Sequence, residues 1–494
     1  MSTYTKFSGK HLINGLWTEG TGESFGSHDP STGEIIWKGK NATKVEVDTA
    51  IEAARHALPM WSELPIEDRI QYLQTFKKQL SDRKDALAKT IALEVGKPLW
   101  ESKGEVGAMI AKIDISIEAY SDRCKENEKD LKGTTSITRH KPHGVAAVFG
   151  AYNFPGHLPN GHIVPALLAG NTIVLKPSEL TPLVSEQMIQ IWETCNLPKG
   201  VINLIQGGKE TGILLANHND IDALFFTGSW DTGKILAEEF GKHPEKILAL
   251  EMGGNNPLII GEISDLKVAA YLTIQSAFIT SGQRCTCARR LLLPTGKKGD
   301  EFLEHLQTMM KKIQIGDFRE DPEPFMGPLI SENAADHVLN AQKELAELGG
   351  QVLIEAKKLD QGNAFLSPGL IDVTNIPDLP DREVFGPLLQ VIRVSDFEEA
   401  IKKANATEYG LCAGILTDHE EQYREFYRKA RAGIINWNTQ LTGASSAAPF
   451  GGIGHSGNHR PSAYYAADYC AFPVASMETT KMRLPSNLTP GIDI

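Results

Sequence analysis

Two side chains capable of covalent chemistry lie in short glycine-containing segments. Cys285 lies within residues 281–287, and Glu251 precedes a double glycine within residues 250–257. A thiolate can attack a carbonyl carbon and form a covalent intermediate. A carboxylate with a raised pKa can then activate the water that releases the product. This pair indicates oxidation of an aldehyde through a thioester.

Asn153 is a candidate for stabilising the oxyanion of such a reaction. It follows an apolar run, residues 145–149, that is typical of a buried strand. Preorganised donors of this type contribute about 3–4 kcal/mol to transition-state stabilisation. The backbone N–H of Cys285 is a candidate second donor. Alternatively, Asn153 only caps the next helix, and a lone Cys285 or Glu251 is more often structural. The combination favours catalysis.

Residues 226–233 are typical of a strand that turns into a helix. A helix N-terminus presents free N–H groups and a positive dipole to a pyrophosphate. The spacing differs from the Gly-x-Gly-x-x-Gly fingerprint, so this motif alone is better explained as a turn without a ligand. The candidate cofactor contacts are Gly228, Ser229, Trp230, Asp231, Thr232 and Gly233.

The segment Lys176, Pro177, Ser178 and Glu179 also ends an apolar run, where α/β folds bind ligands. Lys176 could hydrogen-bond ribose hydroxyls. Glu179 could accept from the 2′-hydroxyl and repel a 2′-phosphate, which would favour NAD over NADP. The alternative is a pair of solvated charges in a turn, the ordinary position of such residues.

The composition indicates a globular enzyme-sized protein. At 494 residues the chain exceeds one ordinary core, so two or three domains are expected. The net charge of −12 disfavours nucleic acid or an anionic membrane as a partner. The longest apolar region, residues 163–175, is interrupted by Pro165 and Gly170 and falls short of the roughly 20 residues of a membrane span. We therefore predict a cytoplasmic protein.

The cysteines do not indicate a disulfide scaffold at this chain length. Cys285 and Cys287 could form half a metal site, but no second close Cys or His pair completes it, and no metal is predicted. We expect the other four to be inert core thiols. The six cysteines are Cys124, Cys195, Cys285, Cys287, Cys412 and Cys470.

Helical signals dominate the first hundred residues, beginning with a capping box at 43–46. From residue 143, short apolar runs alternate with helical patterns, which indicates parallel sheets covered on both faces. Two α/β domains with an active-site cleft between them are expected. The predicted strands are 145–149, 172–175, 201–205, 223–226, 257–260 and 290–293. The predicted helices are 182–194, 211–217, 269–279 and 300–313.

Taken in order, seven motifs resemble the NAD(P)-dependent aldehyde dehydrogenase superfamily over nearly the whole chain. The resemblance implies that Cys285 is the nucleophile, Glu251 the deacylation base and Asn153 an oxyanion donor. It further implies that Glu383 holds the nicotinamide ribose and that Phe385 packs beside it; otherwise these two residues belong to an ordinary loop. The motifs lie at residues 94–98, 176–179, 228–233, 251–254, 282–285, 383–387 and 449–452.

The implied fold is α/β: two Rossmann-like parallel-sheet domains with a small β extension. Residues 1–124 and 143–252 would form the NAD-binding domain and residues 253–450 the catalytic domain. Residues 125–142 and 470–494 would form an oligomerisation extension, giving a homodimer or a dimer of dimers. The alternative for this last pair is a surface loop and a tail.

Further segments resemble one branch of this family, which oxidises N-succinylglutamate 5-semialdehyde in the succinyltransferase route of arginine degradation. Tyr152 replaces the usual Trp, and residues 156–162, 285–290, 436–438 and 454–462 match the branch. This aldehyde carries two carboxylates, so a basic tunnel is expected, and Arg suits bidentate carboxylate binding. Each candidate could equally form a structural ion pair. The candidates are Arg284, Arg123, His157 and Arg460.

Several other functions stay open on sequence alone. Within the family, the substrate could be glutamate semialdehyde or succinate semialdehyde. A cysteine hydrolase that needs no NAD, or a non-catalytic protein that kept the fold, are alternatives from other classes. Coenzyme A acylation is disfavoured, because Glu251 favours water as the acyl acceptor.

Overall fold

The computed structural model describes residues 7–131, 133–485 and 487–492. The predicted NAD-binding domain includes residues 1–6, and the predicted oligomerisation extension includes residues 132, 486, 493 and 494. These residues lie outside the described residues. The helices are α1 Lys44–Glu63, α2 Ile66–Asp82, α3 Lys84–Val95, α4 Leu99–Arg123, α5 His157–Ala169, α6 Pro182–Glu193, α7 Lys209–Ala216, α8 Trp230–Phe240, α9 Leu266–Phe278, α10 Lys297–Met310, α11 Glu332–Glu347, α12 Phe397–Ala404, α13 Glu420–Lys429 and α14 Ala466–Cys470. The strands are β1 His11–Ile13, β2 Leu16–Thr18, β3 Ser24–His28, β4 Ile35–Lys40, β5 Asn127–Asp130, β6 Thr135–Pro142, β7 Val145–Phe149, β8 Thr172–Lys176, β9 Ile202–Leu204, β10 Ala223–Gly228, β11 Ile247–Met252, β12 Asn256–Ile260, β13 Ala288–Pro294, β14 Gln351–Ile354, β15 Lys358–Leu359, β16 Gly362–Leu366, β17 Gly369–Asp372, β18 Leu388–Val394, β19 Cys412–Leu416, β20 Ile434–Trp437 and β21 Ala471–Glu478.

The first large sheet has the order β11-β10-β7-β8-β9-β1-β2. Its five strands from β11 to β9 are parallel, as the alternating pattern predicts. The chain leaves β7 towards β8 on one side and returns to β10 on the other. The carboxyl ends of β7 and β10 therefore border the crevice in which such sheets bind ligands.

Antiparallel pairs extend both predicted parallel sheets at one edge. β1 and β2 form an antiparallel hairpin beside β9. Asn14 and Gly15 close it with φ of 52° and 73°, the backbone that a two-residue hairpin turn requires. The hairpin was not predicted, because each of its strands has only three residues and a strong helical pattern follows.

The second large sheet has the order β14-β17-β18-β13-β12-β19-β20. All of its pairs are parallel except β14 with β17. Residues 253–255 lead from the end of β11 in the first sheet to the start of β12 in the second. The carboxyl end of β11 therefore lies close to the amino ends of β12 and β13.

The polar segment after α4 pairs with the C-terminal segment of the chain. β6 aligns antiparallel with β21 from Thr135 opposite Glu478 to Pro142 opposite Ala471, and β5 lies on its other edge. These strands form a separate three-stranded sheet. An oligomeric role for this sheet stays a prediction.

Helix α4 connects the core of the first layer to the site. Its 25 residues begin after Pro98 and end at Arg123. Val106, Met109 and Ile113 are fully buried in the first core. Charged residues are buried on the same helix, which is costly unless each is paired or bonded. Helix α3, which precedes it, ends at Gly96 with φ of 82°.

No helix among the described residues is long and apolar enough to cross a membrane.

Candidate active site

The turn that carries Cys285 has an unusual backbone. Thr280 and Ser281 are buried and have φ of 57° and 53°. Gly282 follows with φ of 73°, and a Cβ there would lie 2.2 Å from the Gly386 carbonyl oxygen. The Ser281 hydroxyl donates to the Gly327 carbonyl at 2.6 Å. Such strained residues persist where the surroundings fix them, and they concentrate at functional sites.

Two buried side chains hold this turn from outside. The Asn256 amide donates to the carbonyls of Cys285 and Cys287 at 2.7 and 2.9 Å. The Arg289 guanidinium donates to the Gly282 carbonyl at 2.6 Å and to the Arg284 carbonyl at 2.9 Å. The position of the Cys285 thiol is therefore set by side chains at the starts of β12 and β13.

Glu251 lies against the Cys285 thiol. It is the second-last residue of β11 and only 1% exposed. The thiol is near enough to the carboxyl group for each to shift the pKa of the other, and Glu251 Oε1 has no hydrogen-bond partner among the described residues. Burial raises the pKa of Glu251 to about 8, and nearby Glu383 adds to the rise. Burial, followed by the charges of Glu251 and Glu383, raises the pKa of Cys285 well above its usual range.

Asn153 lies near this pair, and one of its two amide N–H groups is not hydrogen-bonded within the described residues. Its Nδ2 donates to the Gln283 carbonyl at 3.0 Å. Within the described residues, the second N–H of that amide and the backbone N–H of Cys285 make no hydrogen bond. Two donors next to the thiol can thus serve an oxyanion. The sequence-based expectation for these three residues matches where the structure brings them.

A cavity of about 330 Å³ opens at Cys285 and Asn153. Aromatic rings form part of its wall, and serine, threonine and charged side chains form the rest. Glu251 does not line the cavity. The residues that line it include Trp100, Glu101, Glu105, Ala108, Asn153, Phe154, His157, Arg284, Cys285, Thr442 and Ser462.

The predicted phosphate turn has the local structure expected of it. β10 ends at Gly228, and the Ser229 hydroxyl caps α8 by accepting from the Thr232 N–H at 3.4 Å. A Cβ at Gly233 would lie 2.2 Å from the Met252 sulfur, so glycine lets α8 approach β11. The Trp230 ring stacks on His455 at 3.7 Å. Ser229, Asp231 and Thr232 are exposed.

Lys176 lies at the carboxyl end of β8, on the same edge of the sheet. Its ammonium donates to the Pro177 carbonyl at 3.1 Å and lies 3.7 Å from Glu179. Burial lowers the pKa of Lys176, and Glu179 opposes this. Glu179 is exposed, and the Ser178 hydroxyl accepts from the Leu180 N–H at 3.2 Å. Both carboxylate and ammonium are free to turn towards a ligand at this edge.

Glu383 and Phe385 belong to the segment between β17 and β18. Glu383 accepts from Arg289 at 3.2 Å, and a Cβ at Gly253 would lie 1.6 Å from its Oε2. Glycine at 253 is therefore required for this contact. The Phe385 ring packs edge-on against Tyr152 at 6.0 Å.

The residues at this edge suit a dinucleotide. The free N–H groups of α8, the Ser229 hydroxyl, Lys176 and the exposed Glu179 provide the donors and acceptors that a pyrophosphate and a ribose need. No group of three or more His, Cys, Asp or Glu side chains that could hold a metal ion occurs in the described part of the chain.

The chain as a whole matches one protein family. The aldehyde dehydrogenase family model matches residues 17–472. The chain belongs to the aldehyde dehydrogenase family. It is accordingly an enzyme, and the fold class expected from the sequence is confirmed.

Several members of the family are similar over nearly their full length. N-succinylglutamate 5-semialdehyde dehydrogenase of Burkholderia multivorans is 54% identical over 481 residues, which are 97% of this chain and 99% of that protein. An E. coli NADP dependent enzyme has a TM-score of 0.90 at 31% identity, over 96% of this chain and 98% of its own. Betaine aldehyde dehydrogenase from Staphylococcus aureus in complex with NAD+ has a TM-score of 0.91 at 27% identity, over 97% and 96%.

Two of the four candidate carboxylate contacts line the cavity of this aldehyde dehydrogenase. Arg284 bonds Glu101 at 2.8 Å, the Thr280 hydroxyl at 2.7 Å and the Thr442 carbonyl at 3.1 Å. Much of its guanidinium is thus already engaged. Burial, with the nearby positive charges of Lys112, Lys97 and Arg284, lowers the pKa of His157 well below its usual range. His157 is therefore neutral and contributes no charge to the cavity.

The other two candidates do not line the cavity. Arg123, at the end of α4, forms an ion pair with Asp468 and lies 3.8 Å over the Tyr465 ring. Arg460 donates to the Gly452 carbonyl at 2.6 Å. Both arginines bind other parts of the chain, an alternative that the sequence left open. The expectation that they contact substrate has no support in this geometry.

The sequence-based interpretation assigned no role to the buried pair Lys97 and Glu105. These two side chains form an ion pair, and Lys97 donates to the Asn153 carbonyl at 2.9 Å. Glu105 accepts from the N–H groups of Gly156 and His157 at 2.9 and 3.0 Å. The pair thus fixes the loop that carries Asn153. Charges spaced along an otherwise apolar face of α4 were the available signal.

Proposed function

We propose that the chain oxidises N-succinyl-L-glutamate 5-semialdehyde to N-succinyl-L-glutamate with NAD, in the degradation of arginine. The observation that carries the chemistry is the proximity of the buried Glu251 carboxyl to the Cys285 thiol, which lines the cavity beside Asn153. The 54% identity to a relative with this name supports the substrate. The proposed cellular location of the protein is the cytoplasm.

In the first half of the reaction, the Cys285 thiol releases its proton to solvent as its sulfur attacks the aldehyde carbon. The Asn153 amide and the Cys285 N–H donate to the oxygen that becomes negative, and both donors are available. Bound NAD supplies the hydride acceptor. Residues 228–233 with Lys176, Ser178 and Glu179 would hold its phosphates and ribose, and Glu383 and Phe385 would lie by its nicotinamide end.

In the second half, Glu251 activates the water that hydrolyses the thioester. A pKa of about 8 makes its carboxylate a stronger base than an ordinary glutamate. Its Oε1, which has no hydrogen-bond partner among the described residues, is available to accept a proton. Glu251 does not line the cavity, so it does not occupy the space in which the aldehyde would bind.

The substrate assignment is tested by kcat/KM for three aldehydes: N-succinylglutamate 5-semialdehyde, glutamate semialdehyde and succinate semialdehyde. We expect the succinylated aldehyde to be preferred by at least about 10-fold, the discrimination that one added charged contact provides. An equal or better rate with an unsuccinylated aldehyde would overturn the substrate. Turnover of an ester without NAD, with no NAD-dependent oxidation, would favour the hydrolase alternative.

The cofactor assignment is tested at Glu179. Its exposed carboxylate at the end of β8 would repel a 2′-phosphate, so we expect Glu179→Gln to raise the kcat/KM for NADP relative to NAD by roughly 10-fold. Glu238→Gln, an exposed glutamate on α8, is the matched control. A wild-type preference for NADP would contradict the assignment.

A further inference from the structure

Lys112 is a buried cation with no acidic partner in the described part of the chain. It lies on α4, is 1% exposed, and donates to the backbone carbonyl of Ser462. No described carboxylate forms an ion pair with it. Burying an uncompensated charge destabilises a fold by several kcal/mol, so such a residue needs a functional explanation.

Lys112 does not itself line the substrate cavity but lies next to residues that do. Glu101, Glu105 and Ala108 of α4 line the cavity, and Lys112 lies four residues after Ala108, on the same helix face. Ser462, which accepts its hydrogen bond, is also a lining residue.

The segment around Ser462 closes tightly over this end of the cavity. A Cβ at Gly161 would lie 2.3 Å from the Ser462 hydroxyl oxygen, so glycine at 161 permits the approach. His157 lines the same region, is near enough for the charge of Lys112 to act on it, and has an Nδ1 without a partner in the described chain. A buried ammonium and an unpartnered ring nitrogen thus lie together.

The other charges of the cavity are already balanced. Glu101 is paired with Arg284, and Glu105 with Lys97. The positive charge of Lys112 is therefore left over, and the cavity as described lacks one negative charge. A ligand that brings a carboxylate would supply it.

We propose that Lys112 binds a carboxylate of the substrate at the end of the cavity remote from Cys285, with His157 as a second donor. Lys112 is then a specificity-determining residue. This inference rests on the proposed function only in requiring an aldehyde that carries a carboxylate. Burial lowers the pKa of Lys112 to about 7, and a carboxylate beside it would favour the charged form.

The test compares Lys112→Met with Lys103→Met, a half-buried lysine on the same helix that, among the described residues, makes no hydrogen bond to a cavity-lining residue. KM and kcat are measured with N-succinylglutamate 5-semialdehyde and with hexanal, which has no charge. For Lys112→Met we expect KM for the charged aldehyde to rise at least about 10-fold, with kcat and both hexanal constants within about 3-fold of wild type. Lys103→Met should match wild type throughout.

Thermal unfolding separates this role from a structural one. Removing an unneutralised buried charge should raise Tm in Lys112→Met, whereas loss of a structural contact would lower it. Lys112→Arg should recover part of the affinity for the charged aldehyde. Unchanged KM values in Lys112→Met, or equal increases for both aldehydes, would overturn the inference.

An error in the proposed substrate would give a different kinetic result from an error in the role of Lys112. Wild-type enzyme would then oxidise hexanal but not the succinylated aldehyde. In that case the same variants are compared with glutamate and succinate semialdehydes, which also carry a carboxylate, and the same KM criterion decides the role of Lys112.

Discussion

The surroundings of Cys285 oppose formation of a thiolate in the ligand-free protein. Burial and the acidic side chains Glu251 and Glu383 all raise the pKa of the thiol. A resting site of this kind keeps the nucleophile protonated and less exposed to oxidation. The two oxyanion donors beside the sulfur favour negative charge on the substrate oxygen instead. Reactivity is therefore greatest when an aldehyde is in place.

The link between Glu251 and the thiol can be tested by replacing the charge. In Glu251→Gln the carboxylate that raises the pKa of Cys285 is absent, so the thiol should ionise at lower pH. We expect the pH profile of alkylation by iodoacetamide to shift downward relative to wild type. The difference should be largest above about pH 8, where the wild-type carboxylate is ionised.

The control for this alkylation is Cys285→Ala, in which the reactive thiol is lost while the buried Cys287 remains. Slower alkylation of Glu251→Gln at every pH would instead mean that Glu251 takes the thiol proton directly, and would contradict the account.

At the scale of elements, residues 456–458 complete the exposed edge of β11. Asn458 Oδ1 accepts from the Leu250 N–H at 2.7 Å, its Nδ2 donates to the Leu248 carbonyl at 3.1 Å, and its own N–H donates to the Leu250 carbonyl at 3.0 Å. Gly457 pairs with Glu251 itself. β11 is an edge strand of its sheet, and this segment pairs with backbone N–H and carbonyl groups of β11 that would otherwise be unpaired.

Asn458 is accordingly a positioning residue for Glu251. We expect Asn458→Ala to lower the steady-state rate by roughly 10-fold, about 1.4 kcal/mol, while the NADH burst stays near one per site. The reason is that a misplaced base slows deacylation and leaves acylation intact. Rapid-mixing absorbance at 340 nm would measure burst and steady state together.

A matched control exists on the second sheet. Asn438 makes the same two contacts with the backbone of Thr417, at 2.9 and 2.8 Å, far along the chain from β11. Asn438→Ala should lower Tm comparably and leave the ratio of burst to steady state unchanged. If both variants changed that ratio equally, the effect of Asn458 would be one of stability alone.

The reactive residues could be predicted from the sequence because each lies in a short local motif. Cys285 lies in a glycine-containing segment, Glu251 precedes two glycines, and Asn153 follows an apolar run that predicts a strand. Arg289 and Asn256 could not be assigned, since their roles depend on contacts with carbonyls of a turn whose backbone has positive φ at Thr280 and Ser281. Arg123 pairs with Asp468 and does not line the cavity, so its predicted contact with the substrate stays a prediction that this geometry does not support.

At the scale of the whole molecule, the alternation of strands and helices from residue 143 could be predicted from the sequence. Parallel strands are buried on both faces, so they occur as short, continuous apolar runs. β7 was predicted with its observed bounds. β1 to β4 were not predicted, because they are short and lie before strong helical signals. Element order after residue 313 depends on pairing between distant strands, for which the sequence offers no local pattern.

The three-stranded sheet is the part of the molecule best suited to contact another copy. β21 is an edge strand and exposes large apolar side chains, with Phe472 40% and Met477 62% exposed. We expect the wild type to sediment as a homodimer or a dimer of dimers and Met477→Glu to shift it towards smaller species.

Met60→Glu serves as the control for this sedimentation experiment, since Met60 is an exposed apolar side chain on α1. A wild-type monomer at micromolar concentration would contradict the role of this sheet.

The central claim, a thioester on Cys285 released by Glu251, is tested most directly in Glu251→Gln mixed with N-succinylglutamate 5-semialdehyde and NAD. NADH formation is followed by rapid mixing, and the quenched protein is digested for peptide mass spectrometry. The account predicts a burst of about one NADH per site, slow turnover afterwards, and the mass of an N-succinylglutamyl group on the peptide that contains Cys285. No burst, or an adduct on a peptide without Cys285, would contradict it.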